Sequence, residues 1–518
     1  MKTKLMFIFL LFFTAAINAQ NGSKIFEEVK NVTVRNVGAI KKNNEVKGYF
    51  SFYEYDKASK GTLLFKLNLM DENLNNLGTK EIEGPKGWEL ISSGFDGNNF
   101  CFKFYDPKAK TFELKVYDQQ AKEVISNELE RNYGMSSSKY KMYQQYENPE
   151  LSILPENGFV NYTFNEENDG FFTTYVNGTP KKQWSHAYET DGKFKIMIPA
   201  FLGGNSEFLL TFITKVNKGM YTSSTENTLL ATRTGNGSKV FEIPMEINEH
   251  FIVPTNVTFE GDKIMLVGLN YSTSSISVAS PEGLAFIELD MKGKVLKTNF
   301  QTFEQTLGKY FSMSDKGKFD DGYLFYVHTI ARTNKNTNVL VGEKFKKKTS
   351  AGGAALSMLS RGSGSTGFVR LELENMILIE CDLDGKVLQA KEIPKAKGTT
   401  PLFPSYSGFF PPYLLAGAAS IWGWMDYAYA LKNEDNSELT FNYLDYEKLG
   451  DDEDDDGKKT HNFGQIKYKN GVITNDKVAI KNEKATFTHL FPAKTGYVLQ
   501  MNYFKKKKQM TMDFIKLN

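Results

Sequence analysis

The chain has 518 residues, with 63 Lys and Arg against 61 Asp and Glu, a net charge of +2. That balance excludes the basic footprint of a general nucleic-acid binder, and two cysteines in so long a chain exclude a disulfide-stapled scaffold. Aromatic residues make up 14% of the sequence, with 41 Phe and 26 Tyr; this is strand-rich material, and the length calls for several domains or one large repeat.

At the start, Lys2 and Lys4 precede an apolar stretch from Leu5 to Phe13, followed by Ala15, Ala16 and Ala19. The pattern is that of a secretory signal peptide over residues 1–19. Its apolar stretch is shorter than the roughly 20 residues that span a bilayer, and no later segment is long and apolar enough to do so. The expected mature chain, 20–518, is therefore a single exported domain without a transmembrane segment, periplasmic or secreted.

Residues 88–130 show a repeating unit most clearly. Phe100, Phe102 and Phe104 alternate with Cys101, Lys103 and Tyr105, and Phe112, Leu114 and Val116 alternate with Glu113, Lys115 and Tyr117. Period two is the strand signature, and the breaks "FDGNN", "DPKAK" and "DQQAK" supply turn residues. The unit reads as four antiparallel strands, A to D. Strands of type B begin near Gly48, Asn99, Gly158, Ser206, Lys263, Gly322, Leu439 and Gly496. C-to-D hairpins include "FELKVYDQQAKEV", "LAFIELDMKGKVLKT" and "MILIECDLDGKVLQAKEI". A spacing of roughly 50 to 60 residues is that of propeller blades. The expected fold is all-β, a β-propeller of about eight four-stranded antiparallel blades, with seven as the alternative because 399–480 is poorly patterned. The last unit supplies only strands A, B and C, so "SKIFEEV" after the signal peptide is expected to close the ring as the missing outer strand. Both cysteines fall inside strands and are expected as free thiols.

Loop lengths point to one face. In a propeller the B-to-C and D-to-A connections open on the same side, and the long ones here are 344–366, 395–432 and 447–461, with 131–150 and 272–283 as further examples. Long connections are commonly functional. Within 401–430, Trp422, Trp424, Tyr427, Phe409 and Phe410 offer a stacking platform for a sugar or peptide; a packed plug or core helix accounts for the same composition. An acidic run, Asp451 to Gly457, lies between basic runs at Lys344, Lys346, Lys347 and Lys348 and at Lys505 to Lys508. It either drapes over them or stands as a separately solvated loop.

Local motifs for chemistry are sparse. Asp452, Asp454 and Asp456 match the opening of a calcium loop, but position twelve is Phe463 rather than an acid, so no cofactor is expected and calcium is the weaker alternative. Asp382, Asp384 and Gly385 have the same look, yet the counterparts in "ELDMKGKV" and "VYDQQAKEV" lose the acids, which marks a C-to-D reversal. Five scattered histidines give no zinc spacing, and there is no Gly-x-Ser-x-Gly elbow. A carboxylate pair for glycoside cleavage would come from different blades and leave no local motif.

Residues 34–76, with "GAI...EVKGYF" and "LMDENLN", resemble the opening of a family of uncharacterised exported bacterial proteins. The resemblance implies export and a β repeat fold and transfers no catalytic residue. The functional expectation is an exported, noncatalytic, monomeric propeller that binds a protein or glycan partner through its long-loop face. The alternative is a propeller hydrolase or lyase with a composite site on the central axis.

Overall fold

The computed structural model describes residues 22–517 apart from 43–44, 107, 110, 130–150, 166–169, 190–193, 218–224, 275–278, 315–316, 351–367, 404–409, 422, 449–458 and 481–484. Eight antiparallel blades follow one another over 37–85, 89–129, 152–188, 194–244, 250–302, 324–393, 427–479 and 487–516. Each is a meander in which the first strand, A, is innermost and D outermost. The segment read as poorly patterned contains blade seven, with strands Tyr427–Lys432, Glu438–Lys448, Lys459–Lys469 and Val472–Ala479.

Blade eight has three strands of its own, and its fourth is Ser23–Phe26, which pairs antiparallel with Gln509–Lys516 so that Ser23 faces Asp513. The N-terminal strand thus closes the ring, as the sequence predicts. Tyr503 adds a bond from its hydroxyl to the Lys30 carbonyl at 2.8 Å.

Alternation along each strand sends successive side chains to opposite neighbours. On blade two, Phe100, Phe102 and Phe104 pack toward blade one, against Phe50, Phe52, Phe65 and Trp88, while Cys101 and Tyr105 pack toward blade three with Leu151 and Phe159. The apolar core is consequently a set of wedges between blades, closing a sheet system radially without long exposed edges. Cys101 and Cys381 are buried free thiols.

The C-to-D turns share one device. Asp71, Asp118, Asp290 and Asp382 each accept two backbone N–H bonds through one carboxylate oxygen, from residues two and four further on, at 2.8 to 2.9 Å. The residue three further on takes positive φ: Leu74 at 66°, Ala121 at 60°, Gly293 at 84° and Gly385 at 81°. An Asx turn of this kind needs the first acid and tolerates the left-handed residue, which accounts for the metal-like spacing at Asp382 and its loss elsewhere.

Blade six departs from expectation. The run beginning at Gly322 forms strand A, Leu324–Arg332, and strand B is Asn338–Thr349, so Lys344 to Lys348 lie on a strand and the B-to-C connection starts only at 350. Similarly, 395–432 ends inside strand A of blade seven and contains a helix, Pro412–Ile421. No helix among the described residues is long and apolar enough to cross a membrane.

Candidate functional site

Blade six rises out of the ring on the long-connection side. Strand D, Val387–Ile393, pairs only with Met376 to Cys381 of strand C, Val369–Cys381. Beyond Met376 the pairing is continued by the D-to-A connection: Glu372 faces Thr399, Leu373 faces Gly398, and Val369 bridges Phe403. The helix Pro412–Ile421 packs over this extension. Tyr413, Leu415, Ala416 and Ala419 join Phe345, Leu371 and Phe403 in an apolar core separate from the wedges between blades. Pro412 suits the first helical position, where its missing N–H costs nothing. The same connection leaves Leu402 and Leu414 exposed, at 54% and 40%.

Beneath the crest lies a closed polar cluster. Lys395, just after blade six, sends Nζ to Glu343 Oε1 at 2.9 Å and to Asp426 Oδ2 at 2.5 Å. His328 Nε2 lies 3.3 Å from Glu343 Oε2, and the Asp426 backbone N–H donates to that same oxygen at 3.3 Å. The Tyr446 hydroxyl donates to Asp426 Oδ1 at 3.0 Å. Asp445 accepts from the Ala396 N–H at 2.7 Å and pairs with Lys477 at 2.5 Å. The side chains of His328, Glu343, Lys395 and Asp426 are between 0% and 5% exposed. Ladder irregularities at Val327/Thr329, Glu343/Phe345 and Tyr427/Tyr429 accompany the cluster, and such bulges re-aim side chains.

Burial alone would raise the Glu343 carboxyl, but the Lys395 ammonium and the His328 imidazole outweigh it and hold it below the usual carboxylate range. For Asp426 burial wins: with the Glu343 charge nearby, its carboxyl is pushed up to about 7 in spite of Lys395 and Tyr446. Lys395 is held above the ordinary amine value because its two acids outweigh its burial. The group is therefore a lysine shared by two carboxylates, closed to solvent, joining the crest to blade seven.

A second network faces outward on the same blade. Lys344 pairs with Asp321 at 2.5 Å, Glu374 at 3.2 Å and Glu392 at 3.3 Å, and the Tyr323 hydroxyl donates to Glu372. Lys397 reaches Glu374 at 3.2 Å and lies over the Tyr323 ring. The lysines read as one basic loop are thus separately engaged: Lys346 donates to the Asp321 carbonyl at 3.1 Å, Lys347 to the Phe410 carbonyl at 2.9 Å, and Lys348 pairs with Glu372 at 3.6 Å.

Residues 1–518 match, over their whole length, the family of unknown function DUF6770. The chain belongs to that family. No curated protein matches the sequence. Among solved structures, the DUF6770 chain is similar to prolyl oligopeptidase B from Galerina marginata, with 8% identity, a TM-score of 0.42, and coverage of 93% of this chain and 55% of that one. It is also similar to the acylaminoacyl peptidase of Pyrococcus horikoshii, at 11% identity and a TM-score of 0.35, covering 92% of this chain and 57% of that one. The polysaccharide lyase Uly1 shares 9% identity at a TM-score of 0.36, covering 83% of this chain and 90% of that one. The DUF6770 chain spans little more than half the length of either peptidase, and these distant likenesses carry no argument about chemistry.

Of the expected platform residues, the described ones fall at two places, Trp424 and Phe410 beside the crest core and Tyr427 on blade seven. Trp424 packs edge-on against Phe403, with ring centroids 5.4 Å apart, beside the crest core, and Phe410 packs against the same core. Tyr427 belongs to blade seven and stacks on His328 at 4.7 Å. Phe409 and Trp422 lie outside the described residues, as do Asp452, Asp454 and Asp456 and residues 1–19. The residues that sequence reasoning missed are Glu343, Lys395 and Asp426. His328 was legible only as a strand residue.

Proposed function

We propose that this DUF6770 protein is exported and acts as a noncatalytic propeller whose long-connection face binds a protein or glycan partner. The crest on blade six carries the reading: a helix and a continued sheet stand above the ring and hold Leu402 and Leu414 out to solvent. Side chains of this kind on a rigid platform form the apolar centre of an interface. The closed Lys395 cluster supports binding over catalysis at this face, since its acids are committed to Lys395 and shut off from water. Export follows from the pattern of residues 1–19.

The test pairs a glycan array with crosslinking to proteins of the cell envelope, using the wild type and the double variant Leu402→Ser, Leu414→Ser. Loss of a hot-spot contact costs about 2 kcal/mol or more, roughly thirtyfold in affinity. The variant should lose the captured partner while keeping the wild-type melting temperature. A partner held equally well by the variant would overturn the assignment to the crest.

A further inference from the structure

Where blade one meets blade two, the long-connection face carries a cleft of about 290 Å³, close to the roughly 300 Å³ at which small-ligand pockets begin. It lies away from the crest, with blades seven and eight between blade one and blade six. Its walls come from three places. The short helix Val34–Asn36 leads into the innermost strand of blade one, the strand Glu45–Ser59 follows, and Trp88 stands in the connection to blade two, just before its innermost strand, Glu89–Phe95.

The floor is aromatic. Phe52 and Phe65 stack with ring centroids 5.0 Å apart, and Trp88 meets both edge-on at 6.3 and 5.8 Å, while Phe104 stacks on the indole at 4.2 Å. Gly84 makes this seat possible, since a Cβ there would stand 2.2 Å from Trp88 Cε3. Trp88 is 7% exposed, yet no acceptor among the described residues takes its indole N–H, although a buried indole usually finds one. Trp184 shows the ordinary case, donating to the Thr234 carbonyl at 2.9 Å. Trp88 thus lines the cleft with a donor unused.

The rim is polar and uncommitted. Phe52 packs toward blade two, and alternation puts Glu54 on the same side of its strand. Arg35 stands exposed on the short helix. Both line the cleft together with Asn31, and among the described residues neither Arg35 nor Glu54 has an ion-pair partner. Close by in the chain, Lys30 and Asp56 do pair, at 2.6 Å. The Glu54 N–H donates to the Asn31 carbonyl at 3.0 Å, which sets both residues on one frame.

A guanidinium and a carboxylate that share a rim without closing on each other leave a donor and an acceptor for a ligand set between them. Sugar hydroxyls both donate and accept, so they suit this pair as well as the Asn31 amide and the indole N–H, and the C–H face of a sugar ring suits an aromatic floor. A free amino acid would use the two charges and leave the other groups idle. We infer that the cleft between blades one and two is a glycan subsite for a single sugar ring, with Arg35 and Glu54 holding hydroxyls above Phe52, Phe65 and Trp88. This deepens the glycan branch of the proposed function and rests on that reading for the face, but not for the crest.

Saturation-transfer NMR on the full chain tests it, with the methyl glycosides of glucose, galactose, mannose and N-acetylglucosamine as probes and leucine as the amino-acid contrast. Ring protons of at least one glycoside should saturate. Arg35→Ala and Glu54→Gln should each weaken its binding about tenfold or more, as loss of a charge-assisted hydrogen bond does, at an unchanged melting temperature because neither side chain is ion-paired in the fold. Leu402→Ser, Leu414→Ser should leave the signal as it is, which separates failure of the cleft from failure of the crest. Silence from every glycoside on the wild type overturns the subsite. So does a signal that survives both cleft variants, one lost in the crest variant, or one that leucine alone gives.

Discussion

Blade eight meets blade one through Phe26, Val29, Met510, Met512 and Phe514, all apolar and buried. Blade six meets blade seven through an apolar wedge too, with Val341 and Leu378 against Phe441 and Tyr443, but on the long-connection side the junction adds Glu343, Lys395 and Asp426, charged and equally buried. Both junctions must hold neighbouring wedges of one ring. The apolar seam gains from each side chain nearly independently, at about 25 cal/mol per Å² removed from water. The ionic seam is conditional: its members tolerate burial only in one another's company, since an unpaired buried charge costs far more than the pair returns. An apolar seam therefore closes the ring, and the conditional one fixes how the crest sits on it.

The largest expected effect breaks the apolar side. Removing residues 22–28 deletes the outer strand of blade eight together with Phe26, a loss on the order of 5 kcal/mol for a missing strand and a buried aromatic. Denaturant unfolding measures it, and an unchanged midpoint would refute closure by this strand. Next, Lys395→Met leaves two carboxylates facing each other and should cost about 3 to 5 kcal/mol at neutral pH. The penalty should shrink in acid, as Glu343 and Asp426 take up protons; a penalty independent of pH would contradict the ionic account.

The smallest effect sharpens the contrast through pH alone. The folded Asp426 carboxyl sits near 7, above its ordinary 3.8. An acid raised in this way binds its proton more tightly when folded, so its stabilisation is full below the unfolded value and is lost as pH rises toward 7. Glu343, depressed, contributes the reverse, and only where pH falls below the ordinary glutamate range. The wild type should lose stability between about pH 4 and 7 from this group, and Asp426→Asn should flatten that slope in denaturation curves across the window. A slope identical in both proteins would assign it to other groups.

Much of the architecture was legible because it is carried by local patterns. Phe100, Phe102 and Phe104 announce a strand by themselves, and the acidic turns at Asp118, Asp290 and Asp382 mark the period. Blade six misleads for a physical reason. Its strand B ends in Lys344, Lys346, Lys347 and Lys348, which read as a solvated run, yet their partners Asp321, Glu372, Glu374 and the Phe410 carbonyl come from elsewhere in the chain. The polar cluster was illegible for the same cause. His328, Glu343, Lys395 and Asp426 lie on four segments separated by 15, 52 and 31 positions, and only the ring brings them together. Lys41 of blade one and Tyr429 of blade seven are still farther apart in sequence, and they meet past blade eight.

The pairing of Ser23 with Asp513 spans 490 positions. Of the described strands, the one synthesised first can therefore find its partner only after the last has left the ribosome. Until then, blade eight lacks its outer strand and Phe26, Met510 and Met512 have no common core. Such non-local pairing is slow, so the nearly complete ring must pass through an open stage with its first and last blades exposed, and that interval is when a chaperone or a protease would meet it.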